Sequence, residues 1–256
     1  MITLEEGFNI NLITNKENID YFYKYLENFN NKFISIDFEY NKNKIKLWQI
    51  CFYNKKDINN DIFVIKEELI RNNLKSISKK LFLSKKIIKI FHGAESLDFP
   101  YIFSILKNPK KIYKFLKYTF DTRFLCEYIK NINYNSSQKC NVYDSMLYFK
   151  ALSNDKYIEL NKLNEKIGKI WKVNWDNIDN DNNLLKYTIY DVIYLKKLLF
   201  NIFKEFQKKN IINEFYDIQK ITSFVNIKRN KIDYKIDLKI DDIDKYKIID
   251  YFKNII

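Results

Sequence analysis

The sequence predicts an α/β fold in which helices flank a mixed β-sheet, with a small, mainly helical appendage at the C-terminal end. Two observations support this prediction. Strand-like runs come first with only short turns between them, which indicates antiparallel neighbours, and later strands are separated by amphipathic helices. Hydrophobic residues make up 46% of the 256 residues, which is ample for a packed core.

The N-terminal part is predicted to form one strand, one helix and then three paired strands. The first strand covers 8–13, and a helix over 16–29 begins with Thr14 and Glu17 in the spacing of a capping box. Turns rich in Asn, Lys and Asp separate the next strands. The predicted antiparallel meander consists of KFISIDFEY (32–40), KIKLWQICFYN (44–54) and DIFVI (61–65).

After the meander, strands and helices alternate. Strands are predicted over 86–91 and 118–120. The Lys-rich runs 108–117 and 204–209 are predicted to be solvent-exposed faces. Helices are predicted over 67–82, about 95–107, 121–130, about 142–152, 159–167 and about 181–208.

The C-terminal part differs in character. A further helix is predicted over 215–232, and beyond it charged residues and Ile alternate so closely that a strand, a helix and a partly ordered tail all stay open. We therefore predict two units, a main domain over 1–207 and an appendage of unknown role over 208–256.

Composition limits the classes of protein to consider. A formal net charge of +13 makes nucleic acid the first partner to examine, although an excess of Lys, Ile and Asn is also typical of an A/T-rich coding sequence. No apolar run reaches the ~18 residues of a membrane span, and the N-terminus lacks the order of a signal peptide. We expect a soluble, intracellular protein with no membrane partner.

The three cysteines, Cys51, Cys126 and Cys140, are an odd number and lack C-x-x-C spacing. This pattern indicates neither a disulfide framework nor a zinc site, so we expect buried free thiols.

Two carboxylates share one face of the second predicted strand. Side chains alternate along a strand, so Asp37 and Glu39 in FISIDFEY (33–40) point the same way. Burial of two like charges side by side is costly unless a cation lies between them. That cation could be a Lys or Arg side chain, or a metal ion. The plainer alternative is a solvated strand end.

Two further stretches add carboxylates. Asp98 follows a buried strand in IIKIFHGAESLDF, and Tyr187 and Asp191 lie four apart on one helix face. Taken alone, Asp98 could be an ordinary residue of the first turn of a helix, and Tyr187 and Asp191 could be a surface pair. Four carboxylates from separated elements suit two-metal phosphodiester hydrolysis, for which Mg²⁺ and Mn²⁺ are the preferred ions.

On these residues the chain resembles the DEDD superfamily of 3′–5′ exonucleases, in particular the DEDDy branch of ribonuclease D and the Werner-syndrome exonuclease domain. The likeness covers about residues 8–205. Its third motif, Y-x-x-x-D-V-x-Y-L, is matched in full from Tyr187 to Leu195, and the histidine of the sister branch is replaced by Lys186. One departure is that Asp98 lies six residues after His92 where the family usually has five.

The resemblance implies a ribonuclease H-like fold and a metal-dependent exonuclease that releases 5′-mononucleotides from 3′ ends of RNA or single-stranded DNA. Tyr187 would orient the attacking water. Two divalent cations, Mg²⁺ or Mn²⁺, would be held by Asp37, Glu39, Asp98 and Asp191, with Glu95 the other carboxylate near the second motif. The rival interpretation is a catalytically silent module that binds nucleic acid or a partner protein.

Weaker signals concern the substrate. Phe38 could stack on a base, and His92 and Gln49 are weaker candidates for substrate contact. Asp121 is predicted to be a helix N-cap. Trp48, Trp171 and Trp175 are expected in packing, although one of them could stack on a base. No motif separates RNA from DNA; the resemblance to ribonuclease D favours RNA, but its helical RNA-binding repeats are not recognisable in 209–256.

Overall fold

A mixed six-stranded β-sheet forms the centre of the part of the chain that the computed structural model describes, namely residues 7–42, 44–54, 59–134 and 138–234. Helices cover both faces of this sheet. The strands are β1 Phe8–Ile13, β2 Phe33–Asn41, β3 Lys44–Phe52, β4 Asn60–Lys66, β5 Ile88–Phe91 and β6 Thr119–Asp121.

The α-helices follow the alternation that the sequence predicts. They are α1 Lys16–Asn28, α2 Glu67–Ile70, α3 Leu74–Lys80, α4 Asp98–Leu106, α5 Pro109–Lys117, α6 Thr122–Tyr134, α7 Val142–Tyr148, α8 Asn154–Ile167, α9 Asn182–Ile193, α10 Leu195–Lys208 and α11 Ile212–Arg229.

The strand order is β1-β4-β3-β2-β5-β6. The predicted meander is present, since β2 pairs antiparallel with β3 and β3 pairs antiparallel with β4. The other three pairs, β1 with β4, β2 with β5 and β5 with β6, are parallel. The carboxyl ends of β2 and β5 therefore lie side by side at one edge of the sheet.

Alternation along β2 divides the core between the two faces of the sheet. Ile34, Ile36 and Phe38 pack with α1, α3, α4 and α5 on one face, called here the α4 face. The opposite side, called the α9 face, is packed by helices α6 to α10 and carries the odd-numbered residues of β2. Polar side chains of β2 therefore meet α9 and not the apolar layer beneath α4.

A β-bulge interrupts the pairing of β2 with β3. Glu39 pairs with Leu47 and Tyr40 pairs with Ile45, so Lys46 is the extra residue. As a result Ile45 packs on the α4 face and Leu47 on the α9 face, although they are two apart.

Several boundaries differ from the predicted ones. The N-cap of α1 is Asn15, whose side chain accepts from the Asn18 N–H at 3.1 Å, and not Thr14 of the expected capping box. The predicted helix over 67–82 is broken by a 3₁₀ turn at Arg71–Asn73, and the long helix over 181–208 is interrupted at Tyr194. These breaks allow each piece to pack in its own direction.

The Lys-rich run 108–117 is not merely a solvated face, because it forms the amphipathic helix α5. Asn108 caps this helix with a side-chain bond to the Lys111 N–H at 3.2 Å. Ile112, Phe115 and Leu116 bury one side of α5 in the α4-face core. Lysines occupy the other side, which is why the run looks solvated in sequence.

The predicted appendage is described only in part. Helix α11 packs Phe215 and Ile218 into the α9-face core, and Ile227 joins the core of the α4 face. The boundary at residue 207 stays a prediction, and residues 235–256 lie outside the described part of the chain. In that part, no helix combines the length and the hydropathy needed to cross a membrane.

The expectation of three free thiols is wrong for two of them. Cys126 of α6 and Cys140 form a disulfide, with a Cα–Cα distance of 6.2 Å. Cys51 is a buried free thiol. A spacing of 14 residues carries no pairing signature; the packing of α7 against α6 brings the two sulfur atoms together.

Lys89 is a fully buried cation in β5. Its ammonium donates to the carbonyls of Ser84 and Ile87, both at 2.9 Å, and lies 5.5 Å from the Tyr118 ring. Burial lowers the pKa of Lys89 to about 7, and the positive charge of Lys114 contributes. The side chain therefore ties the start of β5 to the preceding turn at an electrostatic cost.

Lys89 predicts a pH-dependent contribution to stability. Its folded-state pKa of about 7 is below the ordinary value of 10.5, so between these values the unfolded chain holds a proton that the folded chain has released. The free energy of unfolding should therefore rise with pH in this window, by up to about 1.4 kcal/mol per pH unit, and Lys89→Met should remove that slope. Denaturant unfolding of both proteins from pH 6.5 to 10 measures it; parallel curves would contradict the assignment.

Candidate active site

Three carboxylates meet where β2 nears its end and α9 passes over the sheet. Asp37 and Glu39 extend from β2, and Asp191 extends from α9 to the same point. One carboxylate oxygen from each lies within 4.8 Å of the others. Residues separated by about 150 positions in the chain are thus brought to the spacing of ligands around one ion.

Buried hydrogen bonds fix α9 at this position. The Ser35 hydroxyl donates to the Val192 carbonyl at 2.6 Å, and the Tyr53 hydroxyl donates to the same carbonyl at 2.7 Å. Gln49 Nε2 donates to Glu39 Oε1 at 2.9 Å. Gln49 is fully buried, so its amide is in a position to orient the Glu39 carboxylate and is not exposed to a substrate.

Asp98 reaches the site from the α4 face. It is the first residue of α4, and the Tyr40 hydroxyl donates to its carboxylate at 3.1 Å. Asp98 lies outside the set of three mutually close carboxylates. Burial raises its pKa, and the negative charge of Asp37 raises it further. Asp98 and Asp37 line the same cavity at this edge of the sheet.

The turn before α4 accommodates the extra residue of the second motif. The Phe99 N–H donates to the Ala94 carbonyl five residues earlier, so the turn is wider than an α-helical one. Glu95, the other carboxylate of this turn, forms an ion pair with Arg123. Asp98 is thus the carboxylate of this turn that lines a cavity with Asp37 and Glu39.

Burial raises the pKa of all four carboxyl groups. That of Asp37 is raised to about 7 because burial disfavours the charged form. Burial is also the main cause for the other three, and the charge of Asp37 raises each pKa further. In the described ranges, no Lys or Arg side chain forms an ion pair with these groups. Of the two kinds of cation considered from sequence, a metal ion is the one that the ligand atoms of Asp37, Glu39 and Asp191 could hold.

Two tyrosines border Asp191. Tyr187 lies one turn earlier on α9, and its pKa is raised by burial and then by the charge of Asp191. Tyr143 approaches from α7, and burial followed by the charge of Asp191 raises the pKa of its hydroxyl as well. Tyr143 lies outside every motif, so nothing in the sequence pointed to it.

His92 is held within the protein by both ring nitrogens. Nδ1 lies 2.9 Å from the Thr122 hydroxyl, and Nε2 lies 2.9 Å from the Cys140 carbonyl. Burial lowers the pKa of His92 to about 4, so the ring is neutral at physiological pH. A contact between His92 and a substrate stays a prediction, since the residue also lines both cavities of the site.

Asp121 supports the loop that follows β5. Its carboxylate accepts from the backbone N–H groups of Gly93, Ala94 and Arg123 at 2.9 to 3.0 Å. The predicted capping role at the start of α6 agrees with the last of these bonds. Gly93 has φ +75°, a left-handed backbone conformation that favours glycine in this loop.

Two cavities adjoin the carboxylates. One, of about 470 Å³, is lined by Asp37, Tyr187 and Asp191 and also by Arg123 and Lys139. The second, of about 340 Å³, has an acidic floor and an apolar wall. Its lining includes Asp37, Glu39, Asp98, Phe38, Leu97, Ile170 and Trp171. Both volumes are in the range of small-ligand sites.

Comparison with known proteins gives one related sequence and several related structures. No protein-family model matches the chain. An uncharacterised protein of Acanthamoeba polyphaga mimivirus, L533, is 33% identical over 248 residues, which covers 85% of this chain and 48% of that protein. The chain therefore spans about half the length of this relative.

The similar structures are exonucleases. RNase D of Trypanosoma brucei, solved with GMP, gives a TM-score of 0.58 at 14% identity over 91% of this chain and 67% of that one. The EXO domain of Aedes aegypti Nibbler gives a TM-score of 0.56 at 15% identity, over 84% of this chain and 98% of that domain. Brucella melitensis NrnC with bound Mg²⁺ gives a TM-score of 0.53 at 14% identity, over 92% of this chain and 100% of that one. At such identities the likeness establishes the fold, and the predicted ribonuclease H-like class is confirmed.

The raised carboxylate pKa values predict that Asp37 destabilises the metal-free protein at neutral pH. Its pKa of about 7 exceeds the ordinary 3.8, so between these values the folded chain holds a proton that the unfolded chain has lost. The free energy of unfolding should fall as pH rises through this window. Asp37→Asn should flatten that fall and, at pH 8 in EDTA, should stabilise the protein by on the order of 2 to 4 kcal/mol.

Urea unfolding at pH 5 and pH 8 measures this effect. Asp20→Asn, at an exposed position of α1, is the control and should leave both values unchanged. Equal stability of wild type and Asp37→Asn at pH 8 would contradict the assignment.

Proposed function

We propose that this chain is a metal-dependent 3′–5′ exonuclease that hydrolyses RNA or single-stranded DNA and releases 5′-mononucleotides. The observation that carries the proposal is the convergence of Asp37, Glu39 and Asp191, beside Tyr187, at an open cavity. Within the described residues, none of these three carboxylates forms an ion pair with a Lys or Arg side chain. Buried carboxylates of this kind are stable in the charged form only with divalent cations between them.

Each residue has a role in this proposal. Asp37, Glu39 and Asp191 would hold one cation, and Asp98, which lines a cavity with Asp37 and Glu39, would contribute to a second. Bound divalent cations would supply Lewis-acid chemistry, since they lower the pKa of water and offset the charge of a phosphodiester. The Tyr187 hydroxyl faces the larger cavity and would orient the attacking water, as in the DEDDy branch.

The ligands of related structures support the substrate class. RNase D of T. brucei was solved with GMP, and B. melitensis NrnC was solved with pGG and with Mg²⁺. Nucleotides and a magnesium ion are ligands that the two cavities and the carboxylates of this chain would suit. The net charge of +13 would favour the approach of a polyanion, whether RNA or single-stranded DNA.

One observation favours the silent alternative. Asp98 lies outside the set of three close carboxylates and is engaged by Tyr40, so a second cation would have to compete with that hydroxyl. A domain with one weak cation site could bind nucleic acid without cleaving it. Metal titration of wild type and of Asp98→Asn separates these two functions.

Substitution of single site residues should separate catalysis from folding. Asp37→Asn or Asp191→Asn should abolish cleavage of a labelled single strand while the circular-dichroism spectrum is retained, because each removes a cation ligand from a repulsive cluster. Tyr187→Phe should lower kcat by roughly 100-fold and leave Mn²⁺ affinity unchanged. Tyr216→Phe, an exposed tyrosine of α11, is the matched control.

The same assay tests the direction of cleavage along the strand and the preference between ribose and deoxyribose. A 3′-blocked strand should resist wild-type protein, and matched RNA, single-stranded DNA and recessed duplex DNA should be compared at two salt concentrations. We expect RNA or single strands to be degraded fastest. Failure of wild-type protein with Mn²⁺ to shorten any unblocked strand would refute the enzymatic proposal.

Cation binding should strengthen as pH rises, because protonated carboxyl groups must release protons to become ligands. With a pKa of about 7 for Asp37, the Mn²⁺ dissociation constant should fall about tenfold from pH 6 to pH 8 for each proton released. Titration calorimetry should give two ions per wild-type chain and one for Asp98→Asn. Identical isotherms for the two proteins would favour the silent alternative.

A further inference from the structure

The three tryptophans of the chain differ sharply in exposure. Trp48 and Trp175 are 0% and 1% exposed, whereas Trp171 is 68% exposed. Trp48 packs against aromatic rings in the core, and Trp175 lies against the Tyr187 ring at 6.1 Å. Trp171 alone among the three offers its indole face to solvent.

Trp171 is exposed on a backbone that is held in place. It lies in a short 3₁₀ turn, Ile170–Lys172, which is attached to the end of β2. Trp175 Nε1 donates to the Tyr40 carbonyl at 3.1 Å, and Asn41 Nδ2 donates to the Val173 carbonyl at 3.4 Å. The segment is therefore fixed to the strand that carries the carboxylates.

Further along the same segment, Lys46 pairs with Asp176 at 3.1 Å and Lys66 pairs with Asp179 at 3.0 Å. These exposed pairs add little stability singly, but both join the segment to β3 and β4. The backbone segment that carries Trp171 is thus attached to β2, β3 and β4.

Trp171 borders the smaller cavity, whose two halves differ in chemistry. The wall is apolar and includes Leu97, itself 44% exposed, and Ile170. The floor is formed by Asp37, Glu39 and Asp98. A ligand with a flat apolar part joined to a phosphate, bridged to the floor by cations, matches both halves. A nucleotide has this construction.

Phe38, the aromatic that the sequence suggested for stacking, is unsuited to this role. It is 4% exposed, and its ring packs edge-on against Trp48 and Tyr101 at 5.0 and 5.4 Å. The Phe38 ring is therefore occupied by core contacts. The exposed ring of Trp171, in the lining of the same cavity, is accessible to a base.

We propose that Trp171, with Leu97, forms the stacking site for the nucleobase of the 3′-terminal nucleotide, and that this site gives the chain a preference for purine over pyrimidine ends. The inference rests on the proposed function, because it assumes a nucleotide at the carboxylates. Stacking tolerates any base but strengthens with ring area, so a purine gains more than a pyrimidine. The Lys169 ammonium lies over the Trp171 ring, 5.7 Å from its centroid, so the base would stack on the other face of the indole.

Binding of mononucleotides tests the site without turnover. In Mg²⁺, AMP should protect tryptophan fluorescence from acrylamide more than CMP does, and ribose 5-phosphate should not protect it. Because Trp48 and Trp175 are buried, the quenchable signal comes from Trp171. By calorimetry, Trp171→Ala should weaken AMP binding at least about fivefold, and Trp171→Phe should retain most of the affinity. Tyr216→Ala, another exposed aromatic, is the control and should bind AMP normally.

Kinetics supply the second readout. On strands that differ only in the terminal base, Trp171→Ala should raise KM most for purine ends and leave kcat within about twofold. Equal AMP affinity and equal KM in wild type and Trp171→Ala, with cleavage intact, would overturn this inference and leave the exonuclease proposal standing. Absence of both AMP binding and cleavage in wild-type protein would overturn the two together.

Discussion

The burial of like charges at the end of β2 is the constraint on which the rest of the structure depends. Asp37 and Glu39 lie beside Asp191, and no Lys or Arg side chain in the part of the chain that the structure describes forms an ion pair with them. Their surroundings raise the pKa of every carboxyl group in the cluster. Such a cluster persists only on a rigid support. The apolar layer of β2 on the α4 face supplies that support, and the buried bonds of Ser35 and Tyr53 to α9 prevent the carboxylates from separating.

Strand order explains why the cluster lies where it does. β2 pairs antiparallel with β3 on one side and parallel with β5 on the other, so it is the strand at which the two halves of the sheet meet. The loop after β5 can therefore deliver Asp98 to the end of β2, while α9 crosses the opposite face with Asp191. Ligand sites in open α/β sheets lie at such points because the connections diverge there.

Much of this arrangement could be predicted from sequence because its signals are local. Alternation within β2 indicates that Asp37 and Glu39 share a face, and helical spacing places Tyr187 and Asp191 together. Long-range proximity has no such signal, which is why the disulfide and Tyr143 were not predicted.

Helix breaks and mixed surfaces are equally hidden in sequence. The interruption at Tyr194 depends on how α9 and α10 pack, and α5 looks hydrophilic because its three buried residues are surrounded by lysines. In both cases tertiary packing, not local propensity, decides the outcome.

The bulge at Lys46 depends on the number of residues in β3 and not on which side chain occupies the extra position. The extra position lets Ile45 and Leu47 serve opposite faces and lets the segment with Trp171 be tied to β3 through Lys46. A change of side chain at position 46 alters one exposed ion pair. Loss of the position would reverse the facing of every earlier residue of β3 and shift the turn to β2. In this hairpin the residue count is therefore more important than the identity of the side chain at position 46.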